Sequence, residues 1–347
     1  MNDKVIEDLA EMKKKLSEYV DKGRVLGYHE VREEPVIGVK PDKSRIKPLK
    51  KMGSCDVHFM AVDCSTRTLK RANNWGIYLL RTSYALVKGR DVKWGYEEAI
   101  STVIGDSHIR YRILQDTRLE LESKIALNLL HGGYMERVST VIGEKCGFYG
   151  GDEEDSYLLL DGASYFGEKR RFRVSLYETC EKKGIKLLTI SKQAPSLYDE
   201  KGRDFMAATY ILSPYPIWVY HPVVKANKDE HLYGDISIVK LCKDSQRVFR
   251  CDIMEYLTDR DVYKLLSPLT FISEDPRCLG YPVTLWLAHD FSAPSDSKLL
   301  YYHDKVEETL ADAALLNVLH MEELSCNFPD ELHGAKHPFQ WEWIERV

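Results

Sequence analysis

Hydrophobic and polar positions change their period several times along the chain, and each change marks a predicted element. Residues 4–21 carry apolar side chains at helical spacing, which predicts an amphipathic N-terminal helix. The segment 34–52 holds three prolines among lysines and predicts an extended linker or arm. The pattern then predicts three strands followed by a helix, at 57–63, 75–87, 92–104 and 110–131. A mixed sheet with antiparallel neighbours begins in this order.

The second half of the chain repeats strand and helix patterns. A strand at 157–161, a basic-faced helix at 167–183 and a strand at 185–190 form a βαβ unit, so these two strands are predicted to be parallel. Further strands are predicted at 208–212, 217–220, 236–241, 248–253 and 280–288, with helices at 259–271 and 296–319. The predicted fold class is α/β: a mixed sheet flanked by helices, with an additional N-terminal helix and C-terminal elements.

Composition shifts divide the chain into three parts. Residues 1–52 form the predicted N-terminal helix and basic arm, residues 53–325 the main α/β domain, and residues 326–347 a tail predicted to be packed rather than helical. Within the main domain, residues 131–156 are rich in glycine and acidic residues and are interpreted as an insertion.

Two predicted strands end on an aspartate that is followed by small residues. The run ending at Asp63 continues with Cys64 and Ser65, and the run ending at Asp161 continues with Gly162. Open α/β sheets place their functional groups at the carboxyl ends of the strands. The two aspartates are therefore predicted to share one acidic site.

The helix between these strands supplies a third acidic candidate. At about 100° per residue, Glu122 falls near the middle of an apolar face formed by Leu119, Ile125, Ala126, Leu129 and Leu130. Glu120 falls on the opposite side, beside Lys124. A buried carboxylate is costly unless it is paired or metal-bound. Glu122 therefore either pairs with an interior Arg or Lys or binds a metal, and the two strand-end aspartates favour a hard cation such as Mg²⁺ or Mn²⁺.

Bulk composition narrows the class of protein. With 44% hydrophobic and 30% charged residues, the 347-residue chain is typical of a soluble globular protein of one or two domains. No apolar run is long enough to span a bilayer and the start lacks a signal-peptide pattern, so a cytoplasmic location without membrane contact is expected. The eight cysteines include no Cys-x-x-Cys pair, which favours reduced thiols over a zinc ribbon or disulfide framework.

Charge by itself does not indicate nucleic-acid binding. The formal net charge is −5, which is unlike a protein with a basic surface throughout. Two local basic stretches, at 40–51 and 169–173, are individually typical of solvated faces. Their predicted position beside the acidic strand ends is consistent with a phosphate-bearing substrate.

An ordered set of segments resembles the NurA nucleases, archaeal and bacterial enzymes with an RNase H-like core that act with the HerA hexameric DNA translocase on double-strand break ends. The resemblance covers about residues 55–320. The segments are Ala61–Ser65, the helix with Glu122, Leu158–Ser164, Thr189–Lys192 and Gly280–His289. The sequence departs from the family at Cys64, where glycine is usual, and in the insertion at 131–156.

The resemblance implies a role for each matching residue. Asp63, Glu122 and Asp161 would be metal-binding carboxylates, and His289 would complete the metal site. Tyr281 would stand near the metal, and Lys192 matches a family lysine that follows the third core strand. The implied cofactor is a pair of Mn²⁺ or Mg²⁺ ions, with imidazole favouring Mn²⁺.

The predicted function is a metal-dependent deoxyribonuclease, acting as a 5′–3′ exonuclease, an endonuclease or both at DNA ends. Its implied partners are DNA, a HerA-type translocase and a second copy of the chain. One alternative is a non-catalytic DNA-binding scaffold, which repulsion between three carboxylates and phosphate disfavours. Another is an actin-like or sugar-kinase ATPase with phosphate contacts from Ser65, Thr66 and Thr68. The region after 205 lacks the glycine-rich loop that such an ATPase needs.

Overall fold

The structure is a computed structural model that describes residues 3–22, 37–131, 156–166, 171–194, 196–200, 202–313 and 315–332. These residues form an α/β fold with one large mixed sheet flanked by helices, which confirms the predicted class. The strands are β1 (Ile37–Gly38), β2 (Ile46–Pro48), β3 (His58–Arg71), β4 (Trp75–Lys88), β5 (Asp91–Ile104), β6 (Ser156–Asp161), β7 (Lys186–Ser191), β8 (Leu197–Tyr198), β9 (Trp218–Val224), β10 (Gly234–Lys240) and β11 (Phe249–Met254). The helices are α1 (Asp3–Lys22), α2 (Ser107–Leu130), α3 (Arg171–Lys183), α4 (Phe205–Leu212), α5 (Val262–Ile272), α6 (Val283–Ser292), α7 (Asp296–Asp312) and α8 (Leu316–Leu332).

The large sheet has nine strands in the described part of the chain, in the order β2-β9-β10-β11-β7-β6-β3-β4-β5. Strands β3, β6 and β7 are mutually parallel and their neighbours are antiparallel. The β6–α3–β7 segment is the predicted βαβ unit with parallel strands. The predicted order of strand, hairpin, strand and helix is also found, in β3, β4, β5 and α2.

Helices cover both faces of the sheet. Cys64 and Leu80 pack with Leu114 of α2 on one face. Adjacent strand residues point to opposite faces, and on the other face Ser83 donates a hydrogen bond to the carbonyl of Ala288 in α6. Helices α1, α7 and α8 pack on this second face against Trp75, Ile77 and Leu79. No helix of the described residues is long and apolar enough to cross a membrane.

Each edge of the sheet is bounded differently. Asp8 of α1 accepts a hydrogen bond from the backbone N–H of Ile100 in β5 at 2.9 Å, and Lys15 Nζ donates to the carbonyl of Thr102 at 3.5 Å. The predicted N-terminal helix thus lies along an edge strand. At the other edge is β2, three residues from the predicted arm that pair with β9.

Two of the predicted strands are helices in the structure. The predicted strand at 208–212 is helix α4, which begins where the Asp204 side chain accepts a hydrogen bond from the N–H of Ala207. The predicted strand before His289 is helix α6, whose buried Thr284, Leu285 and Ala288 follow a helical period. A short apolar run is compatible with a helix or a strand, so the residues and elements around it determine which of the two forms.

The C-terminal elements also differ from the prediction. The single helix expected at 296–319 is two helices, α7 and α8, and α8 continues to Leu332 through the first residues of the tail that was expected to be non-helical. Residues 333–347 and most of the predicted insertion, 132–155, lie outside the described residues. The seven cysteines in the described ranges are free thiols, as expected.

Candidate active site

Asp63 lies where the central parallel pairing ends. Strand β3 pairs with β6 as far as Val62 and Leu160, and then continues to Arg71 against β4 alone. The prediction that this strand ends at Asp63 was therefore wrong, because pairing with β4 extends it by eight residues. Asp63 is therefore the first β3 residue beyond its parallel neighbour. Its side chain is only 5% exposed and points to the face covered by α6.

Two helices contact the Asp63 carboxylate. His289 Nδ1 of α6 is 2.7 Å from Oδ2, and Ser292 Oγ donates to the same oxygen at 3.3 Å. Arg118 Nη2 of α2 is 3.9 Å from Oδ1. Burial raises the pKa of Asp63, but the His289 hydrogen bond and the charges of His289, Arg118 and Lys192 outweigh burial and hold the pKa below its ordinary value. Asp63 is thus ionised at neutral pH.

Glu122 is buried on the inner face of α2, as its helical position predicted, while Glu120 is exposed. Arg173 Nη2 of α3 donates to Glu122 Oε2 at 2.6 Å, and both side chains are about 95% buried, with 4% and 5% exposed. An interior arginine therefore contacts Glu122, one of the two possibilities left open by the sequence. Burial and the nearby Asp63 charge raise the pKa of Glu122 to about 7, against the opposing effect of Arg173 and Arg118.

Asp161 ends β6 and forms a more exposed ion pair. Lys192, directly after β7, donates to Asp161 Oδ2 at 2.9 Å, with side chains 45% and 34% exposed. The sequence placed these two residues at one edge of the sheet, and the structure does so. Lys192 Nζ is also 5.4 Å from the ring centroid of Tyr281.

Tyr281 is a buried ring beneath this ion pair. It packs against Phe249 with ring centroids 5.2 Å apart. Burial, together with the charges of Asp161 and Asp63, raises the pKa of the Tyr281 hydroxyl well above its ordinary value. The hydroxyl therefore stays protonated at neutral pH.

The loop after Asp161 is held by a buried ion pair that was not predicted from the sequence. The N–H and the hydroxyl of Ser164 both donate to Asp252 Oδ2 at 2.9 Å. Arg250 donates to both carboxylate oxygens of Asp252 at 2.7 Å. The signal was present in the sequence, because Arg250 and Asp252 stand two apart in a predicted strand and so share one face.

Two arginines belong to the site, and neither was predicted to. Arg118 lies one helical turn before Glu122, on the same face, and its Nε donates to the Cys64 carbonyl at 2.6 Å. Burial lowers the pKa of Arg118, but the carboxylates of Glu122, Asp63 and Asp161 raise it further, which indicates that Arg118 lies among all three. Arg173 was assigned to a solvated basic stretch and is in fact buried against Glu122.

The other basic stretch lies far from these residues. Lys43, Lys47 and Lys50 are exposed around β2, five strand positions from β6. At about 4.8 Å per strand, this separation is about 24 Å. The expected position of residues 40–51 beside the acidic strand ends was therefore wrong, because sequence proximity to Asp63 does not fix the strand order.

The donor types suit a hard divalent cation. Asp63, Glu122 and Asp161 offer carboxylate oxygens and His289 offers imidazole nitrogen, the ligands that Mn²⁺ accepts. Within the described ranges, however, no three His, Cys, Asp or Glu side chains converge closely enough to hold a metal ion. Arginine and lysine groups stand between the carboxylates instead.

No protein-family model and no curated protein matches the sequence. Among solved structures, the NurA nuclease from Sulfolobus solfataricus is similar over 90% of this chain and 98% of its own, with 15% identity and a TM-score of 0.54. A NurA structure with manganese covers 85% of this chain and 96% of its own, with 12% identity and a TM-score of 0.44. The catalytic domain of human Endonuclease V covers 84% and 96%, with 10% identity and a TM-score of 0.42. The chain therefore has a NurA-like fold, built on an RNase H-like mixed sheet.

Proposed function

We propose that this chain is a nuclease that hydrolyses phosphodiester bonds in DNA with the help of divalent cations. One observation carries the proposal. The ionised Asp63 stands at the open end of the central strand pair, bonded to His289 and surrounded by the charges of Glu122, Arg118 and Asp161. The NurA-like fold and the name of its structural neighbour support the same chemistry.

In this proposal the four predicted ligands, Asp63, Glu122, Asp161 and His289, would hold Mn²⁺ or Mg²⁺. Such ions neutralise charge on the phosphate and lower the pKa of a bound water. Asp63 supplies a fixed negative charge, and Ser292 and His289 orient its carboxylate. Glu122 and Asp161 must turn an oxygen toward the ion from their present ion pairs.

The cations of the site would bind the substrate. Lys192 is half-exposed beside Asp161 and is placed to contact a phosphate oxygen at the sheet edge. Arg118, whose side chain is 30% exposed, adds a positive charge near the carboxylates, which reduces their repulsion of an incoming phosphate. The imidazole of His289 is 63% exposed, so it is open to substrate from the solvent side.

A second candidate function is a DNA-binding scaffold that works without metal. The observation that favours it is the neutralisation of Glu122 by Arg173 and of Asp161 by Lys192. The ATPase alternative loses support, because Ser65, one of its expected phosphate contacts, donates its hydroxyl to the Ser292 carbonyl of α6.

The test is degradation of end-labelled linear DNA with Mn²⁺, with Mg²⁺ and with EDTA. The wild type should cleave with a divalent ion and stop in EDTA, and Asp63→Ala should reduce the rate by about 100-fold or more, because one ligand charge is lost. Glu120→Gln is the matched control, since Glu120 lies on the exposed face of the helix that carries Glu122. DNA binding without cleavage under every metal would favour the scaffold, and ATP hydrolysis in its place would favour the ATPase.

The proposal extends to partners. A HerA-type translocase would deliver DNA ends, which fits a chain whose net charge of −5 gives weak binding to DNA alone. A homodimer through terminal helices is supported by exposed apolar side chains on α7 and α8, among them Leu300, Val318, Met321 and Leu324. Sedimentation of the pure chain tests the dimer, and tight DNA binding at physiological salt without the translocase would contradict the delivery role.

A further inference from the structure

Three aromatic rings lie together on the side of β5 that faces α6. Trp94 of β5 stacks on Phe291 of α6, with ring centroids 4.2 Å apart and an angle of 20° between the rings. The ring of Tyr96, the next β5 residue on this face, is 6.4 Å from that of Trp94 at an angle of 17°. We call Trp94, Tyr96 and Phe291 the aromatic strip. Trp94 is nevertheless 49% exposed, so half of its surface is open to solvent although its ring is stacked.

The aromatic strip is on the same face of the sheet as Asp63. Asp63 pairs with Ser83 of β4, and Ser83 pairs with Tyr96 of β5. Residues that pair directly across strands share a face. Two strand spacings put the backbone of Tyr96 about 10 Å from that of Asp63. This separation equals about three base steps along a nucleic acid strand, at about 3.4 Å each.

The last turn of α6 joins the candidate active site to the aromatic strip. His289 contacts Asp63 of β3, whereas Phe291, two residues later, contacts Trp94 of β5. The His289 side chain is 63% exposed. A ligand that crosses this turn from the solvent side therefore reaches both places.

Two cations border the aromatic strip. Arg81 Cζ lies 4.3 Å from the centroid of the Tyr96 ring, and Arg81 donates to Oε1 of Glu98, two residues after Tyr96 on the same face of β5. Lys298 of α7 is 38% exposed, and its Nζ is 3.6 Å from Oε2 of the same carboxylate. Two positive charges thus share one negative charge. The remaining positive charge favours an anionic ligand beside the rings.

We propose that the aromatic strip binds an unpaired base of a DNA strand, that Lys298 contacts a phosphate of that strand, and that this chain therefore selects single-stranded DNA. The inference rests on the proposed function for the nature of the ligand, and it adds the strand preference. Aromatic side chains beside cations bind single strands because the rings stack on base faces while the cations contact the backbone. The bases of a duplex are stacked on one another, so their faces are not available to the strip.

The experiment measures the binding of dye-labelled DNA to the full chain by fluorescence anisotropy. The probes are a thymidine strand of about 20 nucleotides, a duplex of the same length and an abasic strand that keeps the phosphates but lacks the bases. Low salt, about 50 mM, makes weak binding measurable, and EDTA prevents cleavage. The wild type should bind the thymidine strand more tightly than the duplex or the abasic strand.

The variants separate the contact with bases from the contact with phosphate. Trp94→Ala should weaken binding of the thymidine strand by about 10-fold and leave the abasic strand unaffected, and Trp94→Phe should recover most of the loss because a ring remains. Lys298→Ala should weaken binding of both strands and reduce the salt dependence of the affinity by about one phosphate contact.

Tyr210→Ala is the matched control. Tyr210 is 38% exposed on α4, and α4 packs through Phe205 on Tyr220 of β9, seven strand positions from β5. This change removes an exposed aromatic side chain far from the strip, so the affinity for each probe should stay at the wild-type value. Melting temperatures of all variants show whether each one is folded.

The outcomes separate the inference from the proposed function. Wild-type affinity of Trp94→Ala for the thymidine strand, or an equal loss for the thymidine and abasic strands, overturns the inference even where the wild type cleaves DNA. A wild type that binds the duplex more tightly than the thymidine strand overturns it as well. A base-dependent loss in Trp94→Ala, in a chain that cleaves DNA with no metal, keeps the strip and overturns the proposed hydrolysis. A dimer that becomes monomeric in Trp94→Ala with unchanged DNA affinity would assign the strip to contact between copies and overturn the inference.

Discussion

Tyr281 is a residue whose surroundings limit the chemistry it can perform. Its ring is buried against Phe249, and its hydroxyl stays protonated because its pKa is raised well above the ordinary value. Tyr281→Phe keeps the ring packing and the aromatic face that Lys192 approaches. We expect this change to lower kcat by less than about 10-fold, compared with the much larger effect of Asp63→Ala. A loss from Tyr281→Phe as large as that from Asp63→Ala, in the same DNA cleavage assay, would assign the hydroxyl a direct role.

Glu122 makes the free energy of unfolding depend on pH. Its pKa is about 7 in the folded chain and near 4.5 when unfolded, so the unfolded chain loses this proton first as pH rises. The contribution of Glu122 to stability is fully present below pH 4.5 and is lost as pH rises to about 7. The rise of the Glu122 pKa from 4.5 to about 7 corresponds to about 3 kcal/mol of stability.

Comparison with Glu122→Gln isolates this contribution from all other titrations. The unfolding free energy of the wild type minus that of Glu122→Gln should decrease by about 3 kcal/mol between pH 4.5 and 7. The glutamine amide can change the unfolding free energy beside Arg173 by a constant amount, but a constant does not alter how the difference varies with pH. Urea unfolding at several pH values measures it, and a difference that increases with pH would mean that the pKa of Glu122 is lowered in the fold.

At the scale of single residues, the sequence predicted which acidic residues are buried but did not predict the residues that pair with them. The helical period alone put Glu122 inside and Glu120 outside, because burial of α2 is a local property of its apolar face. The partner of Glu122 comes from α3, 51 residues later, through packing between two helices. No local pattern distinguishes Arg173 from its basic neighbours, so the sequence left the partner open.

At the scale of elements, the loop after β6 depends on a strand on the far side of β7. Asp252 of β11 accepts two hydrogen bonds from Ser164 and is held by Arg250. Asp252→Ala would remove both carboxylate hydrogen bonds of the buried Arg250 and release the loop that follows Asp161. We expect a loss of about 3–5 kcal/mol in unfolding free energy and slower DNA cleavage.

The control for this loop is Asp229→Ala, which removes an exposed carboxylate in the short turn before β10. It should change stability by less than about 0.5 kcal/mol. Denaturant unfolding and the cleavage assay on the same preparations give both quantities. An Asp252→Ala variant with wild-type stability and rate would show that the loop after Asp161 holds its position without this anchor.

Long strands with a clear hydrophobic pattern were predicted correctly. For short apolar runs, the pattern did not distinguish a helix from a strand. The strands β4 and β5 are each 14 residues long and were placed by their pattern, as was the βαβ unit around Asp161. Of β3, which is equally long, only the half up to Asp63 was predicted. The helices α4 and α6, which replace predicted strands, are only 8 and 10 residues long. Their helical state is set by the Asp204 cap in one case and by packing on β3 and β4 in the other, and neither is visible in hydrophobicity alone.

At the scale of the molecule, a bound ion should stabilise the whole fold. If Mn²⁺ binds the folded chain and not the unfolded one, an ion concentration 100 times the Kd adds about 2.7 kcal/mol. We expect the melting temperature to rise by several degrees with Mn²⁺ and to return on addition of EDTA. Asp63→Ala should abolish the rise in differential scanning fluorimetry, whereas Glu120→Gln should keep it. A rise of the same size in Asp63→Ala would place the stabilising ion elsewhere.

Strand order also belongs to this scale and explains the misplaced basic stretch. Residues 40–51 precede Asp63 closely in sequence, yet β2 joins the sheet beside β9. The pairing partner of β2 comes about 170 residues later, so its position depends on how the last strands assemble. The sequence predicted a mixed sheet but did not predict which strand pairs with each edge strand.

The two edges of the sheet have a consequence for self-association. Strand edges with unpaired backbone groups are templates for further strands, and they promote aggregation. Here α1 side chains occupy backbone groups of Ile100 and Thr102 in β5, while β2 is only three residues long and includes an exposed Lys47 and Pro48. Both devices oppose the addition of strands from other copies, so assembly of this chain is directed to its helical surfaces and away from fibre-like growth of the sheet.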